Sequence, residues 1–352
     1  MNRTEKIQQL PSALLPWFRK NRRPLPWRQD PTPYHVWLSE IMLQQTRIEA
    51  VKPYYSRFLA ELPDISALAA VEPDRLMKLW EGLGYYSRAR NLQAAAREMA
   101  EKHGGIFPHT YEEIRALKGI GDYTAGAIAS ICFGLPTPAV DGNVLRVISR
   151  ISGDERPVND EKIKAEVRET LAAVYPPGEC GAFTQALMEL GEIVCVPNGT
   201  PDCARCPCRG FCAAKDGDWQ RLPVKTPKKP RRQEHLTVFL LCCGDRFAVR
   251  KRADSGLLAG LWEFPNCPAA LDAAQAFDRA AEWGCAPQGI REEVPKNHIF
   301  THVEWQMNCY TVLCGEAPKD FVWVTAEEIR NQYPLPTAFR KFSPEIAGKE
   351  SL

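Results

Sequence analysis

The sequence carries little net charge. Its 45 Lys and Arg against 43 Asp and Glu leave a formal +2 over 352 residues, too little for bulk electrostatics alone to imply a polyanionic partner. No run is long and apolar enough to span a bilayer. The opening Met1 to Gln9 is polar and charged, unlike a secretory leader, and no internal repeat appears. Cysteine is not scarce, with 13 residues, yet the chain is too long for a disulfide-dense small domain. These absences point to a soluble, cytoplasmic protein with free thiols and no membrane contact. The length is enough for two domains, each with its own core.

Residues 1–218 read as helices. Asp64 precedes one apolar-periodic run, and Glu72-Pro73 opens another that stops at Gly82 and Gly84. Further helices are expected over Tyr85 to Lys102, Tyr111 to Lys118, Tyr123 to Phe133, Gly142 to Ile151, Asp160 to Tyr175 and Gly181 to Val194. Residues 219–233 form a Pro-punctuated basic linker holding Arg221, Lys225, Lys228, Lys229, Arg231 and Arg232. From Glu234 the pattern changes. Leu236 to Cys243, Phe247 to Lys251 and His298 to Cys314 are strand-like, while Ala269 to Trp283 and Thr325 to Asn331 are helical. Residues 234–352 thus read as a separate α+β domain.

The most informative local signal is Leu117-Lys-Gly-Ile-Gly121. Gly119 and Gly121 permit a tight turn and a close backbone approach. The helix that follows, opening at Tyr123, leaves amide groups unpaired at its start, where anions such as DNA phosphates bind. Asp141, in Val140-Asp-Gly-Asn143, sits where a carboxylate could act on what the turn delivers. A phosphate clamp beside a placed acid points to an enzyme acting on nucleic acid. The cysteines add a second signal. Cys195, Cys203, Cys206 and Cys212 are separated by seven, two and five residues, and four such thiolates can close round one soft metal centre, either zinc or an iron–sulfur cluster. Cys208 reads as a spare, too close to Cys206 to span separate corners. Arg205 and Arg209 make the loop basic, as a phosphate-docking element would be.

With these motifs stand Pro26-Trp-Arg28, Trp37-Leu-Ser-Glu-Ile-Met-Leu-Gln-Gln-Thr46, Gly82-Leu-Gly-Tyr-Tyr-Ser87 and Phe300-Thr-His302. Together they make nearly the whole chain resemble the helix-hairpin-helix DNA glycosylases with a four-cysteine iron–sulfur loop, and within them the MutY-type adenine glycosylases. The resemblance implies an all-α, two-lobed helix-hairpin-helix domain (hairpin 111–133, cysteine loop 195–212) followed by an α+β Nudix-like domain. It implies a [4Fe-4S] cluster on Cys195, Cys203, Cys206 and Cys212, and favours it over zinc. The expected activity is base-excision removal of adenine mispaired with 8-oxoguanine or guanine, by a monomer acting on duplex DNA. Related loops usually have one residue fewer between their first two cysteines than the seven here.

Breaking a base–sugar bond needs a proton for the leaving base and a negative charge near the sugar cation. On a helix beginning near Pro33, residues 36, 40 and 43 share a face. Val36 and Leu43 then bracket Glu40 with apolar surface, which should raise its pKa and keep it protonated. By resemblance Glu40 protonates adenine at N7. Asp141 reads as an N-cap whose helix start favours the anion, and by resemblance it is the catalytic aspartate, with Asn143 and Tyr123 hydrogen-bonded around it. Related lyases carry a lysine where Tyr123 stands, so a monofunctional enzyme is expected; Lys118 lies before the turn and has no such role.

The resemblance assigns DNA contacts as well. Gln45, with Thr46 beside it, probes the duplex; Tyr85 wedges next to the opposite base; Gln185 contacts the flipped adenine; Trp27 and Arg28 line the pocket. In the second domain Leu257-Leu-Ala-Gly-Leu-Trp-Glu-Phe-Pro265 is Nudix-like. The acidic helix of a Nudix hydrolase is missing, however, so no hydrolysis of that kind is expected. Phe300-Thr301-His302 matches a loop, usually Phe-Ser-His, that reads 8-oxoguanine, and threonine keeps the hydroxyl. Two rivals stay open: a glycosylase for another base, and a non-catalytic DNA-binding scaffold with a structural metal loop.

Overall fold

The computed structural model describes residues 1–227 and 230–342. Lys228 and Lys229 of the basic stretch lie outside the described residues. The chain divides into two compact units. The first combines Met1–Ala70 with Arg90–Pro227, and the second combines Val71–Ala89 with the described residues beyond Pro227.

In chain order the helices before the change of pattern are α1 (Arg3–Gln8), α2 (Leu10–Asn21), α3 (Pro33–Leu43), α4 (Ile48–Glu61), α5 (Ile65–Ala70), α6 (Pro73–Leu79), α7 (Ser87–Lys102), α8 (Tyr111–Ala116), α9 (Asp122–Phe133), α10 (Gly142–Ser152), α11 (Glu161–Ala172) and α12 (Cys180–Ile193). Their starts follow from sequence chemistry. Thr32, Thr110, Asp141 and Asp160 each accept an amide hydrogen bond at a helix N-terminus, and Pro33 and Pro73 occupy first-turn positions where no amide is needed. Helix α7 starts two residues later than expected. Tyr85 has a φ of 47°, left-handed backbone that cannot enter a helix. One core of the first unit gathers α1 and α2 with α10, α11, α12 and the cysteine loop, around Leu10, Leu14, Ile148, Phe183 and Leu187. Helices α3, α4, α8 and α9 form the other side of that unit. No helix among the described residues is long and apolar enough to cross a membrane.

The second unit contains β1 (Arg232–Cys243), β2 (Arg246–Lys251), β3 (Trp262–Glu263), β4 (Asn266–Cys267), α13 (Ala273–Glu282), β5 (Pro287–Ile299), β6 (Val303–Cys314), β7 (Val322–Thr325), α14 (Ala326–Asn331) and α15 (Thr337–Arg340). The main sheet path is β3-β2-β1-β6-β5, with β4 on β1 and β7 on β2. Strands β1 and β6 pair in parallel, Val238 opposite Cys309 and Leu240 opposite Thr311. Their period-two alternation feeds two cores. Leu236, Val238 and Leu240 face a core with Met307 and Phe339, while Phe239 and Leu241 face one with Ala276 and Ala280 of α13. A strand buried on both faces reads as the continuous apolar run seen in the sequence. Residues 71–89 join this unit through long-range contacts. Asp74 accepts from Lys251 at 2.7 Å and from the Trp262 indole at 3.2 Å, and Glu81 accepts the Leu335 amide at 2.9 Å.

Candidate active site

The glycine turn joins α8 to α9. Gly119 has a φ of 79°, and a Cβ there would lie 2.5 Å from the Asn91 Cβ, so both conformation and packing demand glycine. Gly121 is different. It caps α9 with extended backbone, φ −95°, and no side-chain hydrogen bond, and a Cβ there would meet nothing within 4 Å. The open space leaves the helix start approachable. The helix opens at Asp122 rather than Tyr123, and Asp122 is already paired with Arg115 and with Arg168 at 3.0 Å.

Glu40 and Asp141 line a single cavity of about 380 Å³, a volume within the usual range for small-molecule sites. Tyr123, Asn143, Arg28, Trp27, Gln45, Thr46 and Gln185 line it too, so the four catalytic candidates converge with five of the proposed pocket and DNA contacts. Lys118 is exposed and absent from this wall. Helix α3 supplies Glu40 between Val36 and Leu43, both on the cavity wall, as the spacing requires. Beyond its end Gln45 adopts a φ of 58°, which costs strain for a non-glycine residue.

Glu40 is buried, 7% exposed, and Tyr123 donates its phenol to Oε2 at 2.7 Å. Burial pushes the Glu40 pKa up to about 7, with the Asp141 charge adding to the rise; the Tyr123 hydrogen bond and Arg28 oppose it. Asp141 caps α10, accepting the Val144 amide at 2.8 Å. Burial raises its pKa from the ordinary aspartate value, while the Val144 and Asn143 amides and Arg146 pull it down. The arrangement around Asp141 differs from expectation. Tyr123 bonds to Glu40, not to Asp141. The Asn143 side chain donates to Glu192 at 2.9 Å and accepts from Arg146 at 2.8 Å, so Asn143 reaches Asp141 only through its backbone. The capping geometry leaves the Asn143 amide to the carboxylate while its side chain turns to Glu192 on the same wall.

Two acids on the wall were not read from the sequence. Glu189 is 1% exposed; it accepts from Arg23 Nε at 2.7 Å and from Arg28 Nη2 at 2.9 Å, which fixes both guanidiniums along the cavity. Glu192 completes a stripe with Gln185, Met188 and Glu189 on one face of α12. The i, i+3, i+4, i+7 spacing was the available signal.

The Glu40 shift has a consequence for stability. Its folded pKa of about 7 lies above the unfolded value of 4.5, so the folded state binds more protons between them and stability falls as pH rises through that window. Glu40→Gln should therefore stabilise the free protein by up to about 3 kcal/mol near pH 8, with a smaller gain near pH 5. Denaturant unfolding at the two pH values measures this.

Helix α10 ties the site to the cysteine loop. Arg146 donates to the Cys195 carbonyl at 2.9 Å, and Arg150 reaches the Cys195 Sγ at 3.3 Å and the Val196 carbonyl at 3.0 Å. Cys195, Cys203, Cys206 and Cys212 line one cavity, walled by Val147, Ile151, Leu190 and Val194. Among the described residues no group of three or more His, Cys, Asp or Glu is arranged to hold a metal ion. Cys208 is fully buried in the adjoining core; it does not line that cavity, but its thiol hydrogen-bonds with that of Cys206. Arg205 and Arg209 are exposed.

In the second unit Phe300, Thr301 and His302 form the tip between β5 and β6. The Phe300 ring sits against His298 and Trp305 at 4.5 and 4.8 Å between centroids, which anchors the tip, while Thr301 and His302 are exposed. Tyr85 is also exposed, and its hydroxyl lies 3.4 Å from the Thr301 hydroxyl. These residues do not line the Glu40 cavity.

Residues 38–173 match the HhH-GPD superfamily of base excision DNA repair proteins, and residues 237–343 match the NUDIX domain. The chain is 33% identical to the adenine DNA glycosylase of Mus musculus over 94% of its own length and 76% of that protein. It is 32% identical to the adenine DNA glycosylase of Homo sapiens, over 96% of this chain and 74% of that one. The solved structure of a thermostable thymine-DNA glycosylase superposes with a TM-score of 0.55 at 28% identity, covering 60% of this chain and 97% of that chain. With two carboxylates in one cavity, a glycine hairpin beside it and relatives matched across both units, this chain belongs to the adenine DNA glycosylase family of base-excision repair enzymes.

Proposed function

We propose that the protein hydrolyses the N-glycosidic bond of adenine mispaired with 8-oxoguanine or guanine in duplex DNA, without lyase chemistry. The convergence of Glu40 and Asp141 on one base-sized cavity carries this reading. The flipped adenosine enters between them. Glu40, protonated, gives its proton to adenine N7. The C1′–N9 bond then breaks with its electron pair going to the base. Asp141 balances the charge on the sugar, and water adds at C1′ with loss of a proton. Tyr123 orients Glu40, and Asn143 supports Asp141 through its amide. Arg28 and Gln185 hold the purine edge; Gln45 and Thr46 stand where the nucleotide enters. Gly119 and Gly121 bring α9 to the phosphates. No lysine lines the cavity among the described residues, so a borohydride-trapped adduct with DNA should not form.

The four cysteines suit a [4Fe-4S] cluster. They are soft donors round a shared apolar cavity, the ligand type such clusters take. When bound, the cluster would supply structural cross-linking of the loop. Arg146 and Arg150 fasten that loop to the helix that Asp141 caps.

Opposite-base reading falls to Tyr85 with Phe300, Thr301 and His302; the hydroxyls of Tyr85 and Thr301 meet at the tip. Thr301→Val removes a hydrogen-bonding group at unchanged volume. It should reduce the preference for 8-oxoguanine:A over G:A by about five- to tenfold, corresponding to about one hydrogen bond, as read from paired single-turnover rates. A second reading, thymine removal, has support from the thymine-DNA glycosylase likeness, but that covers only 60% of this chain. Free-base release from 8-oxoguanine:A, G:A, G:T and oxidised-pyrimidine duplexes separates the two. Adenine release from the first pair supports the proposal; thymine release alone, or binding without any release, rejects it.

A further inference from the structure

A second cavity of about 740 Å³ adjoins the Glu40 cavity. Arg23, Leu25, Arg28, Pro31, Ile131 and Gln185 line both, so these side chains form a partition. The helices give the partition a direction. On α12 the catalytic cavity takes Gln185, Met188, Glu189 and Glu192, whereas the second takes Cys180, Gly181, Ala182 and Gln185. On α9 the catalytic cavity takes Tyr123 from the first turn, Ile131 borders both, and Ser130 with the capping Gly134 at the far end belongs to the second alone. The second cavity therefore lies at the opposite end of both helices from the glycine turn and the cysteine loop. Its rim residues Arg22, Gln29, Gly134 and Gly178 are exposed, so it opens to solvent.

We propose that this rear cavity receives the free purine base after bond cleavage and is its route out while abasic DNA still covers the front. The proposal rests on the glycosylase reading above. The partition has the chemistry of a purine: apolar faces on Leu25, Pro31 and Ile131, and polar edges on Arg28 and Gln185. Gln185 already points rearward, its Nε2 donating to the Gly181 carbonyl at 3.2 Å. Rotation of this one unbranched side chain widens the passage. Arg28 cannot follow, because Glu189 and the Arg23 carbonyl hold it at 2.9 and 3.1 Å.

The test uses full-length protein and an 8-oxoguanine:A duplex labelled in the adenine. Alkaline quenching counts abasic sites, and rapid filtration of protein–DNA complexes counts label retained. In the wild type, label should leave the complex before the DNA does. Ala182→Trp fills the rear cavity without touching the catalytic one. Abasic sites should then form at the wild-type rate, while label stays about tenfold longer, an effect on dissociation alone. Unchanged retention in folded Ala182→Trp overturns the proposal, as does wild-type label that departs only with DNA. Absence of abasic sites rejects the glycosylase reading itself and this proposal with it. Should Ala182→Trp not fold, Ala182→Leu and equilibrium dialysis of labelled adenine against the complex with abasic duplex decide. Wild-type binding weakened by Ala182→Leu supports the route; no binding to the wild-type complex refutes it.

Discussion

Asp141→Asn should lower single-turnover adenine release by about 10³-fold while mispaired DNA still binds, because a preorganised charge at the developing sugar cation is worth that much. The substitution separates two functions of one side chain. Asp141 accepts the Val144 amide and so starts α10. Asparagine is an equally good cap, so helix and fold should survive, with unfolding stability within about 1 kcal/mol of wild type. Only the charge is lost. If Asp141 were merely a cap, release would be unchanged; a rate within about tenfold of wild type would support that simpler role.

Glu40→Gln should have the second large effect. A positioned general acid contributes about 10²- to 10⁴-fold, and glutamine accepts the Tyr123 phenol but has no proton to give. The same variant should be more stable than wild type above pH 7, since a buried carboxylate pushed up to about 7 costs free energy when ionised. Opposite signs for activity and stability mark a group kept for chemistry rather than for packing. A surface glutamate would give neither effect.

Much of this site was legible before folding. The 36, 40, 43 spacing placed Glu40 beside Val36 and Leu43 because residues three and four apart stack on one helix face; that α3 is buried nearly all round was not legible from that spacing. Asp141 ahead of Val144, Ile148 and Ile151 could be read as a cap, and its cavity came from the family likeness. Local chemistry did less well where contacts are distant. Nothing between Glu72 and Ser87 announces that Asp74 pairs with Lys251 or that Tyr85 meets Thr301; those contacts depend on chain segments far apart. Strand β5 was missed because Pro287–Ile299 is an edge strand with much exposed surface, so its apolar residues do not form a run. Glu189 was missed for a different reason. A lone glutamate on a helix is normally solvated, and only the arrival of Arg23 and Arg28 makes its burial tolerable. Hydrogen-bond detail was the least legible. Tyr123 and Asn143 line the same cavity as Glu40 and Asp141, but their partners, Glu40 and Glu192, depend on side-chain rotation that sequence spacing does not specify.

The central claim is that Glu40 enters the reaction carrying a proton. The measurement that tests it most directly is adenine release from an 8-oxoguanine:A duplex at subsaturating substrate, across pH, for wild type and Tyr123→Phe. Release should fall about tenfold per unit above an inflection near 7, and the inflection should move upward in Tyr123→Phe, which loses the hydrogen bond that holds Glu40 down. A wild-type rate that stays level or climbs through pH 7 would contradict the account.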